Sequence, residues 1–535
     1  MSAEDFSDAG YACRKAGAAE IRGSAPGRSR ELTVLRIYYD LPAVKVLAGI
    51  RRCGKSFLLR QIRDELRISF PAARFFDLAR PAEQEAFERW FHAAMQDPAL
   101  SGMGGGGKGG TAAGSGVRGH VILDHLSDPA MLDGSCRELA RRGFSVFAAC
   151  QEPLTSDPAG GDRNAAGCLH DLLGNSSPEA YPGTGADLRN ICPSGQIVAF
   201  LLRPLSFAGA RELAALSGRE LCLEDYLIWG GLPEMILRGH PGNGEESAGN
   251  RCFIWHTEEL MLQDALRKWP IASPKAFAEA AGFIESASGS YASQDRIRDH
   301  LRRHRLKWPR RDPGLWLGAL QSVYAGECAR LIACPETADS CLRSAPVSVP
   351  AFGSAAAAER IADPAAAPAS VMVREPAASC NSAQSPAPGS SPESGISDHQ
   401  WPCGSGGNSR DPGFCFFAMD PALCSQYRGD GAWDLNRCAR TVLYNELRSR
   451  GYEVSCQELG QGRMVFHAAA AGRMGFAAVL WGRGGIRGLR NLLASVCRRR
   501  EREPIILADQ RLAGGGELPA GTVSLENFLL GRAEI

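Results

Sequence analysis

The spacing of apolar and polar positions divides this chain into recognisable pieces. Val44-Lys45-Val46-Leu47-Ala48, Arg74-Phe75-Phe76-Asp77-Leu78, His120-Val121-Ile122-Leu123-Asp124, Ser145-Val146-Phe147-Ala148-Ala149 and Ile197 to Leu202 are short apolar runs, the pattern of strands buried on both faces. Before and between them, Glu31 to Tyr39, Ser56 to Leu66, Pro81 to Met95 and Ser135 to Arg142 carry apolar residues at helical spacing. Strands alternating with helices predict a parallel sheet with helices on both faces, over residues 30–210. Beyond Arg211 the pattern turns helical as far as about Ala333, giving a middle region over 211–334. Phe414 to Ile535 regains strand and helix patterns and reads as a compact α/β domain over 413–535.

Other stretches lack the apolar material for a core. Residues 1–29 read as a disordered tail, and Ser101 to Gly119 as a glycine-dominated loop. Pro153 to Pro182 is loop-like, and 335–412, rich in Ala, Ser, Pro and Gly, reads as a disordered linker. No internal repeat is visible.

Composition narrows the function classes. Sixty basic and 59 acidic residues leave a net charge of +1, so no global pull toward nucleic acid or membrane is expected. No apolar run reaches the roughly 20 residues that span a bilayer, and no signal-peptide core opens the chain, so the expectation is cytoplasmic with no membrane partner. The 18 cysteines include no Cys-x-x-Cys pair, so they read as small buried hydrophobes, and the histidines form no evident metal-binding pairing.

The clearest chemistry is Gly49-Ile50-Arg51-Arg52-Cys53-Gly54-Lys55-Ser56, which fits the phosphate-loop pattern G-x-x-x-x-G-K-[ST] at every fixed position. Glycines let the backbone curl so that its N–H groups face phosphates, and the following helix adds the positive end of its dipole. Lys55 is placed for the β- and γ-phosphates, and Ser56 for Mg²⁺. ATP and Mg²⁺ are the expected cofactors. Asp124, ending an apolar strand, is the expected second Mg²⁺ residue. His125 follows where a carboxylate commonly activates water; a neutral imidazole can accept the proton, and weak or absent hydrolysis is the competing reading.

In this setting Val46 to Ser56 resembles the "GIRRxGKS" loop of prokaryotic AAA-type ATPases that carry a C-terminal domain of unknown function. Leu202-Arg203-Pro204-Leu205-Ser206-Phe207 is similar to that family's "RPLSF" segment, Trp229-Gly230-Gly231-Leu232-Pro233-Glu234 to its "GGxPE" turn, and Tyr444 to Val454 to its "NELxxRGYEV" helix and strand. The resemblance implies a P-loop NTPase core, a winged-helix-like module within about Ala272 to Ala333, and a nuclease-like C-terminal fold. Departures accompany it. The family's Asp-Glu is Asp124-His125 here. Its Gly-Ser-Asn strand end is Ala149-Cys150-Gln151, which leaves Gln151 as a candidate γ-phosphate sensor. Its Gly-Arg pair is Gly195-Gln196. The C-terminal carboxylates of a nuclease centre are replaced by Arg463-Met464-Val465-Phe466 and Ala478-Val479-Leu480-Trp481, with Glu446 retained, so no nuclease activity is expected.

The basic run 300–311 is a candidate for contact with a DNA backbone, weighed against a solvated helix face. Arg498 to Arg502 reads as a basic helix end. Two functions follow: a nucleotide-dependent switch with ATPase activity, or a non-hydrolysing ATP-binding scaffold that binds DNA or another partner. Oligomeric state is open.

Overall fold

Five of the apolar runs form one parallel sheet, in the order β2-β3-β4-β1-β5. The computed structural model describes residues 27–97, 117–150, 197–239, 245–307, 313–323, 325–331, 414–424, 434–458, 464–470, 473–481, 505–509 and 522–532. The strands are β1 (Val44–Ala48), β2 (Arg74–Asp77), β3 (Gly119–Leu126), β4 (Phe144–Cys150) and β5 (Ile197–Leu201). Each lies within two or three residues of its sequence expectation; for β1, β3 and β4, inside the sheet, this is because a strand buried on both faces writes itself as an apolar run, whereas edge strand β2 buries only Phe76.

Alternation along the strands sends side chains to two separate cores. Leu47, Ile122 and Phe147 pack with Leu32 and Leu35 of α1 (Ser29–Ile37) and with Leu58, Leu59, Ile62 and Leu66 of α2 (Lys55–Ser69). Val46, Val121, Leu123 and Val146 face the other way, onto Phe87 of α3 (Pro81–Gln96) and Leu139 and Ala140 of α4 (Arg137–Arg141). The sheet is therefore covered on both faces, as the sequence predicts.

After β5 come α5 (Phe207–Leu216), α6 (Leu223–Trp229), α7 (Pro233–Arg238) and the long α8 (Glu245–Lys268). Then follow α9 (Pro274–Ser286), β6 (Tyr291–Ala292), α10 (Gln294–Arg303), α11 (Pro313–Ser322) and β7 (Gly326–Leu331). The remaining elements are β8 (Phe414–Ala418), α12 (Leu435–Ser449), β9 (Glu453–Glu458), β10 (Met464–Ala470), β11 (Arg473–Trp481), β12 (Ile505–Ala508), β13 (Val523–Ser524) and α13 (Leu525–Leu529).

β6 to β13 form one mixed sheet in the order β13-β12-β11-β10-β9-β7-β8-β6. Here the structure differs from the sequence reading. β6 and β7 fall in the stretch read as helical, yet β7 pairs antiparallel with β8 and parallel with β9, through Arg330↔Ser455. The segments read as 211–334 and 413–535 thus share a sheet. The described residues all belong to one compact unit, drawn from Met1–Cys334 and Gln400–Ile535. The expected tail residues 1–26 and linker residues 335–412 lie outside the described residues. No helix among the described residues is long and apolar enough to cross a membrane.

Candidate nucleotide site

β1 feeds the loop Gly49 to Gly54, and α2 leaves it at Lys55. Gly49 has φ +143°, and a Cβ there would run into the Leu202 carbonyl, so the chain can turn here only with glycine. Lys55 Nζ donates to the carbonyls of Gly49 (2.7 Å) and Ile50 (3.0 Å), which holds the ammonium inside the curve of the loop. Arg28, itself buried, spans from below: its Nη2 donates to the carbonyls of Cys53 and Arg203, both at 2.6 Å.

The middle of the loop does something the motif does not announce. Ile50 and Cys53 are fully buried in the core, which leaves only their backbone to face a ligand. Arg51 forms a two-pronged ion pair with Asp264 of α8 (Nη2 to Oδ1, 2.8 Å, with Nε on Oδ2). Arg52, at φ +65°, lays its guanidinium over the Phe253 ring of the same helix, 4.3 Å from the centroid. Burial pulls the Arg52 guanidinium below its ordinary pKa. The side chains of the expected loop residues Arg51 and Arg52 are engaged with α8, because paired charge and a ring face satisfy an arginine well in a half-buried place.

Asp124 is fully buried near the end of β3, just after the regular register with β4 stops at Leu123. Its Oδ1 accepts from Ser56 Oγ at 2.9 Å and from the His125 N–H at 3.0 Å. Its Oδ2 has no hydrogen-bond partner among the described residues. A buried carboxylate oxygen left bare is costly, and it sits next to a serine hydroxyl at the mouth of a phosphate loop. These are oxygen donors of the kind a hard cation such as Mg²⁺ takes. The residues fit the ion.

Sequence reasoning missed one residue of this site. His125 has φ +57°, where the β3–β4 register shifts between Leu123 and Leu126. That turn swings the ring toward β2, and Nδ1 lies 2.8 Å from Asp77 Oδ1. Asp77 and Asp124 are register partners across β2 and β3. The signal was present, since Asp77 ends an apolar strand just as Asp124 does, but only the sheet order makes the two neighbours. Gln151, Gly195 and Gln196 lie outside the described residues.

The other motif segments meet elsewhere, where the two sheets adjoin. Arg203 pairs with Glu327 of β7, which also accepts from Arg448 Nε (3.1 Å) and Tyr444 OH (3.2 Å) of α12. Asn445 donates to the carbonyls of Ala418 and Met419. Asp420, fully buried after β8, accepts from the N–H of Gly231 and of Ala422, each at 2.9 Å. Burial raises the Asp420 carboxyl to about 6, against those two N–H groups, which lower it. Asp420 went unnoticed in the sequence.

In the C-terminal sheet, Phe466 of β10 pairs with Ala478 of β11, and Glu446 bonds Arg450 at 2.7 Å. Arg498 to Arg502 and Arg463 lie outside the described residues. The basic run is described as far as Lys307. Within α10, Arg296 donates to the Tyr291 carbonyl, Arg298 to Asp295, Arg302 to Asp299 and Arg303 to the Asp299 carbonyl. A nucleic-acid phosphate would compete with these bonds.

No family model matches the chain, and no curated protein matches it. Among solved structures, that of C. elegans PCH-2 aligns over 55% of this chain and 67% of that one, at 9% identity and a TM-score of 0.17. What the structure itself gives is a mixed α/β chain whose five-stranded parallel sheet, flanked by helices, carries a phosphate-loop sequence at the end of β1.

Proposed function

We propose that this protein binds ATP with Mg²⁺ at Gly49 to Ser56 and works as a nucleotide-dependent switch of the AAA type. One observation carries the reading. Ser56 Oγ sits 2.9 Å from Asp124 Oδ1, while Oδ2 of the same buried carboxylate is bare among the described residues. Lys55 supplies a positive charge within the loop, and the start of the 15-residue α2 adds its dipole. Mg²⁺, when bound, would neutralise charge on the β- and γ-phosphate oxygens. With Nδ1–H donated to Asp77, His125 keeps the Nε2 lone pair free to take a proton from water. Arg51 and Arg52 fasten the loop directly to α8, which gives movement of the loop a rigid element to push. The order α9, β6, α10, α11, β7, β8, with β8 between β6 and β7, supports a winged-helix-like module beyond α8.

Calorimetric titration with ATP and Mg²⁺, paired with steady-state phosphate release, tests this. Lys55→Ala should weaken ATP binding about 100-fold or more and stop turnover. His125→Ala should slow turnover while ATP still binds. Tight ATP binding with no turnover in the native protein selects the non-hydrolysing scaffold instead. Absence of ATP binding refutes both.

A further inference from the structure

We propose that Glu279, His300 and His304 form a site for a first-row divalent metal of the zinc type, clipping α9 to the end of α10. The two histidines are four residues apart, so one face of the α10 turn presents both, and Glu279 comes from the neighbouring α9. His300 Nε2 lies 2.8 Å and His304 Nδ1 3.5 Å from the same oxygen, Glu279 Oε1. All three donor atoms lie within 4.8 Å of one another. Bonds of about 2.0–2.2 Å in a tetrahedral zinc site put ligand atoms roughly 3.3 Å apart, so the two distances to Glu279 need shifts of about half an ångström or less, and the two histidine nitrogens, within 4.8 Å of each other, close in by side-chain rotation.

Two features separate this group from an ordinary ion pair. First, both imidazoles converge on one carboxylate oxygen with ring centroids 4.5 Å apart. A metal ion at that point takes one lone pair from each imidazole. Second, the group is held on one side and open on the other. The Phe283 ring stacks on His300 at 4.6 Å, one turn along α9 from Glu279, and fixes the inner imidazole. The His300 side chain is 16% exposed and His304 51%, so the outer side leaves room for water as a fourth ligand. The arginines of α10 bond within their own segment, to Tyr291, Asp295 and Asp299. Imidazole and carboxylate donors suit zinc, cobalt or nickel rather than Mg²⁺, so this site is chemically distinct from Ser56 and Asp124.

The test uses the full chain, stripped of metal and held in excess Mg²⁺ to occupy the oxygen-only site. Zn²⁺ is titrated against a chromophoric chelator, and Co²⁺ is added in parallel for its visible spectrum. One Zn²⁺ per chain, a tetrahedral or five-coordinate Co²⁺ spectrum without a sulfur charge-transfer band, and a melting temperature raised by Zn²⁺ are expected. His304→Ala, at a half-exposed position, should keep the metal-free melting temperature. It should also weaken Zn²⁺ binding more than about 100-fold, since losing even an outer-shell partner of a ligand costs about 10–100-fold. Glu279→Gln should weaken it as well. Zn²⁺ affinity that is unchanged in both variants overturns the proposal, and so does a sulfur-to-cobalt band, which would assign the ion to cysteine.

Discussion

Two buried aspartates at strand ends, Asp124 and Asp420, have opposite surroundings. Asp124 keeps one oxygen on Ser56 and its own chain and leaves the other bare among the described residues. Asp420 has an N–H on each oxygen, from Gly231 and Ala422, and lies near the Arg203–Glu327–Arg448 group, where charges are paired. A protein tolerates an unsatisfied buried carboxylate where a ligand completes it, and satisfies one fully where it holds elements together. On the proposed function the first aspartate serves a ligand, whereas the second holds elements together as a joint. The family-like segments around Arg203, Gly230 and Asn445 are therefore explained by architecture, whereas the loop at Gly49 is explained by chemistry.

Substitutions at the two places should separate stability from binding. The largest effect is expected for Gly230→Ala. Gly230 has φ +79°, and a Cβ would run into the Asp420 carboxylate. Overpacking and a left-handed backbone together should cost about 3–4 kcal/mol in denaturant unfolding, with ATP affinity affected only through unfolding. Next, Lys55→Ala should lower ATP affinity about 100-fold or more, because a charged donor to phosphate is lost, while the unfolding midpoint stays near that of the parent. Third, Asp124→Asn should weaken Mg²⁺-dependent ATP binding about tenfold, yet leave the nucleotide-free protein as stable as before or slightly more so, since a desolvated charge is removed. Equal destabilisation by Asp124→Asn and Gly230→Ala would erase the contrast between the two aspartates.

The smallest effect is a pH slope. Asp420 is raised to about 6 in the folded chain, chiefly by burial, from an ordinary 3.8. A carboxyl whose folded pKa lies above its unfolded one holds its proton more tightly when folded. Its contribution is full below about pH 4 and is lost as pH rises through about 6. Relative to Asp420→Asn, the native protein should gain about 1 kcal/mol on going from pH 7 to pH 5. A difference that is flat between the two proteins over that range would show that the carboxyl titrates as an ordinary one.

The five strands around the phosphate loop were legible because a sheet buried on both faces demands continuous apolar runs. β7 was not. Gly326 to Leu331 has no strand-like alternation, and it is a strand because β8 and β9, from beyond residue 413, pair with its backbone. The same limit applies to side chains. Lys55 and Ser56 could be proposed from the sequence because the loop's pattern lies within eight consecutive residues. Asp77 could not be matched to His125, nor Glu279 to His300, because these pairings bridge 48 and 21 residues of chain.

By itself, then, the sequence determined what is local: the strand-loop-helix unit at Gly49 to Ser56, the acid ending β3, and the two faces of the first sheet. Only the tertiary structure decided which groups at that loop are free for a ligand. Packing α8 against the loop engages Arg51 and Arg52, and the order of β2 beside β3 gives His125 its carboxylate. The physical reason is that backbone geometry depends on near neighbours, whereas the satisfaction of a buried charge depends on whichever distant segment folding brings beside it.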